Sequence, residues 1–177
     1  YLPSSGELWV IYNHFEEIQS ALEAVGGKKF VTSWFEGYPV YWSSTECSFP
    51  DDSATYACVL DLCDGYLEDG GNKIDDIFNV RPVSKFGPST LKESFTRKIS
   101  RKKNDELTTK ADTAFVPDGV YILHETLGVK SVDGWNPKNN KGVVGILLIE
   151  DDHKIVVSTK DAPENLPWSN EYELINQ

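Results

Sequence analysis

Methionine is absent from this 177-residue chain, cysteine occurs three times, and long apolar runs are missing. Each shortage excludes something. Without a methionine, and opening on Tyr1-Leu2-Pro3, the chain reads as cut from a longer precursor or built as a fragment. No signal peptide remains in it to report a compartment. A membrane helix needs about 18 or more consecutive apolar residues. The longest run here, 142–149, has the length and β-branching of a buried strand.

The three cysteines, Cys47, Cys58 and Cys63, match no metal-binding spacing. Cys58 and Cys63 would face opposite sides of one regular strand and so cannot bond to each other. Cys47 can pair with one of them across a hairpin; otherwise all three read as small buried apolar residues. Basic residues are also scarce, 17 against 28 acidic ones, for a net charge of −11. Such a surface repels polyanions, so no nucleic-acid partner is expected. The scarcity is uneven. Eight of the 17 basic residues lie in 85–111 beside three of the 28 acidic ones, leaving nine and 25 elsewhere. This basic stretch lacks the interleaved aromatics of a single-strand binder and reads as a solvated linker or docking strand.

What the chain does contain is 40% hydrophobic and 12% aromatic residues, enough for an ordinary core. Ser4 followed by Glu7 forms a capping-box pattern. Leu8, Ile11, Tyr12, Phe15, Ile18, Leu22 and Val25 then recur at three- and four-residue steps, which predicts one long helix over 5–25 ended by Gly26-Gly27. Short β-prone pieces follow at 29–34, 39–43, 56–63 and 77–83, with a turn at Asp64-Gly65 and a loop at Asp69-Gly70-Gly71-Asn72. Pro82 places the last of these at a sheet edge or strand end. Residues 87–117 have few large apolar side chains and read as a basic linker, with a short helix around 91–101. Strands resume at 119–124, 142–150 and 154–158, the last two joined at Asp151-Asp152. The fold class is α+β, mostly antiparallel.

Four phrases carry a family resemblance: Leu2-Pro3-Ser4-Ser5-Gly6-Glu7-Leu8, Trp42-Ser43-Ser44-Thr45, Asp64-Gly65 and Val80-Arg81-Pro82-Val83. In this order they resemble the C-terminal half of DUF1566-type domains, found in Bacteroides surface proteins and the Fibrobacter major paralogous family. Gly119-Val120-Tyr121-Ile122, Trp135, Gly142-Val143-Val144-Gly145-Ile146, Ile155-Val156-Val157 and Trp168 resemble the N-terminal half. The resemblance implies a C-type-lectin-like fold, shared with formylglycine-generating enzymes. It also implies segments 1–86 and 118–177 in inverted order around the linker 87–117. The helix-bearing stretch that separates the halves in the family is not found after Trp168. Each half alone would expose a strand edge and apolar surface, so 118–177 is expected to pack with 1–86, within one chain or between two.

No catalytic residue is nominated. The resemblance does not place Cys47, Cys58 or Cys63 at the two metal-binding thiols that an oxidase of the formylglycine-generating type needs. Ser43 and Ser44 lack a nucleophile-elbow frame. His14, His124 and His153 fall on a helix, a strand end and a turn. The run Asp64, Asp69, Asn72, Asp75 and Asp76 is rich in oxygen donors but is not an EF-hand loop. Asp64, Asp69 and Asn72 are its candidates for a structural calcium. Trp42 and Trp135 read as core anchors, whereas Trp9, Trp34 or Trp168, if exposed, can stack on a sugar or anchor a protein contact.

The expected function is therefore a non-catalytic binding or adhesion module of a bacterial or phage surface protein, extracellular or at the cell surface, with a protein or glycan as ligand. A further expected partner is itself, through half-domain exchange or tandem repeats. A structural repeat is the alternative, and the oxidase a remote one. By the lectin-like resemblance, the expected contact surface is Glu46, Phe49, Asp51, Asp52, Tyr56 and Asp61.

Overall fold

The computed structural model describes residues 1–47, 55–86, 116–151 and 153–163. The linker stretch 87–115, the tail with Trp168, and Phe49, Asp51 and Asp52 lie outside them. The described chain is α+β. Helices α1 (Ser5–Asn13) and α2 (Phe15–Ala24) precede strands β1 (Val40–Glu46), β2 (Tyr56–Asp61), β3 (Tyr66–Asn72) and β4 (Val83–Lys85). Strands β5 (Gly119–His124), β6 (Gly128–Ser131), β7 (Val143–Glu150) and β8 (His153–Val157) follow, with a 3-10 turn at Pro137–Gly142 before β7. Two antiparallel sheets result, ordered β1-β2-β3 and β4-β8-β7-β5-β6.

The long helix expected over 5–25 is two helices. The chain breaks at His14, with φ −107° and ψ 23°. The apolar steps run through the break because both helices turn their apolar faces into the same core. Glu16 and Glu17 then fall in the first turn of α2, where carboxylates suit the positive helix end. Both outer caps form as expected. The Ser4 hydroxyl accepts from the Glu7 N–H while Glu7 accepts from the Ser4 N–H at 2.8 Å. At the far end Gly27 N–H donates to Leu22 O and Gly26 N–H to Glu23 O, a Schellman pattern with Gly26 at φ +68°.

The helix pair lies against both sheets. Leu8 and Ile11 of α1 and Ile18, Ala21 and Leu22 of α2 share one core with Tyr41 and Leu60 of the small sheet and Ile122, Ile146, Leu148, Ile155 and Val157 of the large one. Burying each such aliphatic side chain contributes roughly 1.5–3 kcal/mol. The continuous run in β7 is explained by burial on both faces. Ile146 and Leu148 point to the helices, while Leu147 and Ile149 pack with Leu123 and Val156 beneath Phe86 and Val116. Trp42 lies on the far face of the small sheet with Val40, Ala57 and Val59.

Three sequence expectations are corrected. Residues 29–34 form no strand. The expected strand over 77–83 is reduced to a bridge from Tyr41 to Asn79 and to β4. The supposed loop Asp69-Gly70-Gly71-Asn72 is the end of β3. Glycine is required there by packing: a Cβ on Gly71 would lie 2.6 Å from Val59 Cγ1 and collide with the Trp42 ring.

The segments 1–86 and 118–163 share this core within one chain. β4 belongs to the first segment by sequence and to the second segment's sheet by pairing, with Val83 opposite Val157. Its other edge meets the chain start, where Tyr1 and Val83 exchange backbone hydrogen bonds of 2.8 and 2.9 Å. Pro82 stands just before this strand, its carbonyl accepting from Ser158 N–H.

Candidate functional site

The surface expected from the sequence is only partly assembled. Glu46 ends β1 and forms a 2.6 Å ion pair with Lys73, whose side chain is fully buried. Truncating Glu46 would take a close counter-charge from a buried cation, so this carboxylate has a structural duty. Tyr56 stands beside it, since Cys47 N–H donates to Tyr56 O across the strand pair. Its half-buried side chain lines an open cleft of about 590 Å³ with Tyr66, Leu67, Glu68 and Asp69. Asp61 lies at the opposite end of β2, about 17 Å away at a strand's rise per residue. There its carboxylate accepts from Cys63 N–H at 2.7 Å. Glu46 and Tyr56 are brought together, and Asp61 is not.

The calcium candidates are likewise spread along β3. Asp64 accepts from Tyr66 N–H in the preceding turn. Asp69 accepts from the Cys58 thiol at 2.8 Å. The Asn72 side chain accepts from Ile74 and Asp75 N–H and donates to Asp75, closing the next turn. Among the described residues no three His, Cys, Asp or Glu side chains group to hold a metal ion.

The cysteines form no disulfide; Cys47 and Cys58 are buried and Cys63 is exposed. Burial, then the bond to Asp69 and its charge, then the nearby Cys47, push the Cys58 thiol up to about 12. A thiol so held stays protonated and is a poor nucleophile. His124 is nearly buried. Its Nδ1 accepts from Thr126 and Leu127 N–H, so Nε2 carries the proton donated to Asn139 O at 3.0 Å. That is a neutral structural histidine, with Trp135 packed 5.9 Å away. His153, expected in the hairpin turn, is an exposed residue at the start of β8.

The most exposed aromatic surface lies at 33–38, at the end of the stretch 29–34 expected as a strand. Both its ends are anchored. The Gln19 side chain exchanges two hydrogen bonds with the Phe30 backbone, and Tyr41 Oη accepts from Val31 N–H at 3.0 Å. On the far side the Asn79 amide donates to Tyr38 O and Val40 O. Between these anchors Ser33 sets a tight turn. Its carbonyl accepts from Glu36 and Gly37 N–H, and its hydroxyl accepts from Phe35 N–H. The turn holds Phe35 fully outside the fold and leaves Trp34 and Tyr38 54% and 56% exposed. Trp34 and Tyr38 meet edge to face at 5.3 Å, so two of the rings are mutually braced. The sequence signal was present in Ser33-Trp34-Phe35-Glu36-Gly37-Tyr38: adjacent aromatics cannot both face the core from one strand, and Gly37 marks a turn.

A second aromatic surface joins Trp9 of α1 to Tyr66 and Leu67 of β3 across an open cleft of about 570 Å³ floored by Gly6 and Gly65. No helix among the described residues is long and apolar enough to cross a membrane. Comparison of the chain with protein-family models, with curated proteins and with solved structures finds no match.

Proposed function

We propose that this chain is a non-catalytic recognition module of C-type-lectin-like fold, carried on a bacterial or phage surface protein, which holds a protein or glycan ligand against the aromatic turn 33–38. One observation carries the reading: Trp34, Phe35 and Tyr38 are exposed together on a turn anchored at both ends. Exposing three large rings forgoes roughly 1.5–3 kcal/mol of burial each, which an interface would recover. Pre-ordering by the Ser33 bonds and the Trp34–Tyr38 contact lowers the entropy cost of binding.

The lectin-like assignment is supported by two antiparallel sheets packed on a helix pair and by the order of the four sequence phrases. An extracellular place for the module rests on the same resemblance. The absence of enzyme chemistry from the reading is supported by what the polar side chains do. Cys58, His124 and Glu46 are each committed to internal bonds.

The test is binding of the labelled protein to a glycan array and to a panel of extracellular proteins. Wild type is compared with Trp34→Ala, Phe35→Ala and Tyr38→Ala, and with Tyr56→Ala for the surface first expected. The reading predicts that hits weaken at least about tenfold for the turn variants. Hits that survive all three exclude the turn as the contact surface, and loss with Tyr56→Ala alone moves it to the β1–β2 end.

A further inference from the structure

His14 occupies the break between α1 and α2, with its side chain 22% exposed. Its Nδ1 is 2.7 Å from Glu17 Oε2, one turn into α2. Its Nε2 is 3.4 Å from Glu150 Oε1, on the last residue of β7. Both ring nitrogens therefore face carboxylate oxygens. A neutral imidazole has a single N–H and can donate to only one of them, whereas the imidazolium donates to both. The arrangement is that of the charged ring, spanning from the helix break to the large sheet.

The surroundings reinforce this. The cleft beside the ring, about 740 Å³, is lined by Tyr12 and Asn13 from α1, Glu16 and Glu17 from α2, Thr32, and Leu62 and Cys63 from the turn after β2. Behind Glu150 are Asp151, whose N–H donates to Asp118, and His153, its partner in the β7–β8 register. Apart from His153, every ionisable side chain named here is an acid, a phenol or a thiol. Burial pulls the His14 pKa down. The hydrogen bonds to Glu17 and Glu150, followed by their charges, outweigh it and raise the pKa above the ordinary 6.5.

We propose that His14 is a pH-sensitive latch that, when protonated, fastens the first turn of α2 to the end of β7. The sign follows from the raised value. Stabilisation is fully present below the unfolded-state value near 6.5 and is lost as pH rises through the higher folded value. Deprotonation leaves at most one of the two bonds, and the 3.4 Å bond to Glu150, the longer one, is released. The latch is a property of the fold and does not depend on the ligand reading.

Two measurements on the intact chain test it. NMR titration of the His14 ring should give a midpoint above 6.5, moved down by Glu150→Gln and unmoved by His153→Asn. Melting temperatures of wild type and Glu150→Gln should differ at about pH 5.5 and converge by about pH 8. His14→Gln should show the same pattern, with amide exchange over residues 15–18 several-fold faster than wild type at the lower pH. Should His14→Gln fail to fold, the Glu150→Gln comparison decides alone. A His14 midpoint at or below 6.5, or a wild-type to Glu150→Gln gap that is constant with pH, overturns the latch.

Discussion

Arg81 and Asp161, 80 residues apart, form a buried ion pair of 2.5 Å that joins the two segments of the chain. The Arg81 side chain is fully buried and that of Asp161 is 3% exposed. Nη1 is satisfied by backbone, whereas Nη2 has no hydrogen-bond partner among the described residues. Arg81 Nη1 donates to Lys28 O at 2.9 Å and to Ser158 O at 3.0 Å, and the guanidinium lies 4.1 Å from the Phe30 ring centre. Lys28 stands 2.9 Å from the second Asp161 oxygen. The backbone on either side of Arg81 is tied as well: Val80 O accepts from Ala162 and Pro82 O from Ser158. Val80-Arg81-Pro82-Val83, one of the phrases that carried the family resemblance, is thus the seam between 1–86 and the later segment.

Breaking this pair is expected to cost about 3–5 kcal/mol, since truncating Asp161 leaves the buried guanidinium uncompensated and truncating Arg81 leaves the buried carboxylate only the half-exposed Lys28. Arg81→Ala and Asp161→Ala should each lower the urea midpoint by that equivalent. Lys28→Ala, at the half-exposed end of the network, should cost about 1 kcal/mol or less. Equal effects at Lys28 and Arg81 would contradict the seam.

The two glycines at the end of β3 should behave oppositely. Gly71→Ala forces a methyl between Trp42 and Val59 and should destabilise by about 1–3 kcal/mol. At Gly70 a Cβ meets nothing within 4 Å, so Gly70→Ala should stay within about 0.5 kcal/mol of wild type. Denaturation of both variants reads the difference directly.

Thiol labelling should separate the cysteines. With its thiol pushed up to about 12 by burial and by Asp69, Cys58 stays protonated at pH 8. A disulfide reagent on native protein should modify Cys63 first, and Cys58 only as the protein unfolds. Peptide mapping of the labelled sites checks this. Fast labelling at Cys58 would show that the Asp69 bond does not hold it.

Much of the scaffold was legible because burial leaves a periodic trace. The capping box at Ser4 and the strands β5, β7 and β8 follow from local pattern alone. The break at His14 did not, because neither glycine nor proline marks it and the partner that fixes the ring, Glu150, lies 136 residues away. β3 was hidden by its paired glycines, of which Gly71 is required by the Trp42 ring on β1 of the same sheet. The strand expected over 29–34 ran into the aromatic turn because β-prone residues reach Trp34, and only the Ser33 turn bonds show that its rings point outward. The Arg81–Asp161 pair has no local signature at all.

The central claim is that the turn 33–38 is a contact surface with no duty in folding. Removing its rings should leave stability within about 0.5 kcal/mol of wild type, as for exposed positions generally. The most direct measurement is calorimetric affinity for the strongest hit from the glycan and protein panels, wild type against Trp34→Ala/Phe35→Ala/Tyr38→Ala, with denaturation of both proteins alongside. The account predicts affinity lost by two orders of magnitude or more, on the order of 3 kcal/mol, with an unchanged unfolding midpoint. Unchanged affinity in a normally folded variant would contradict it.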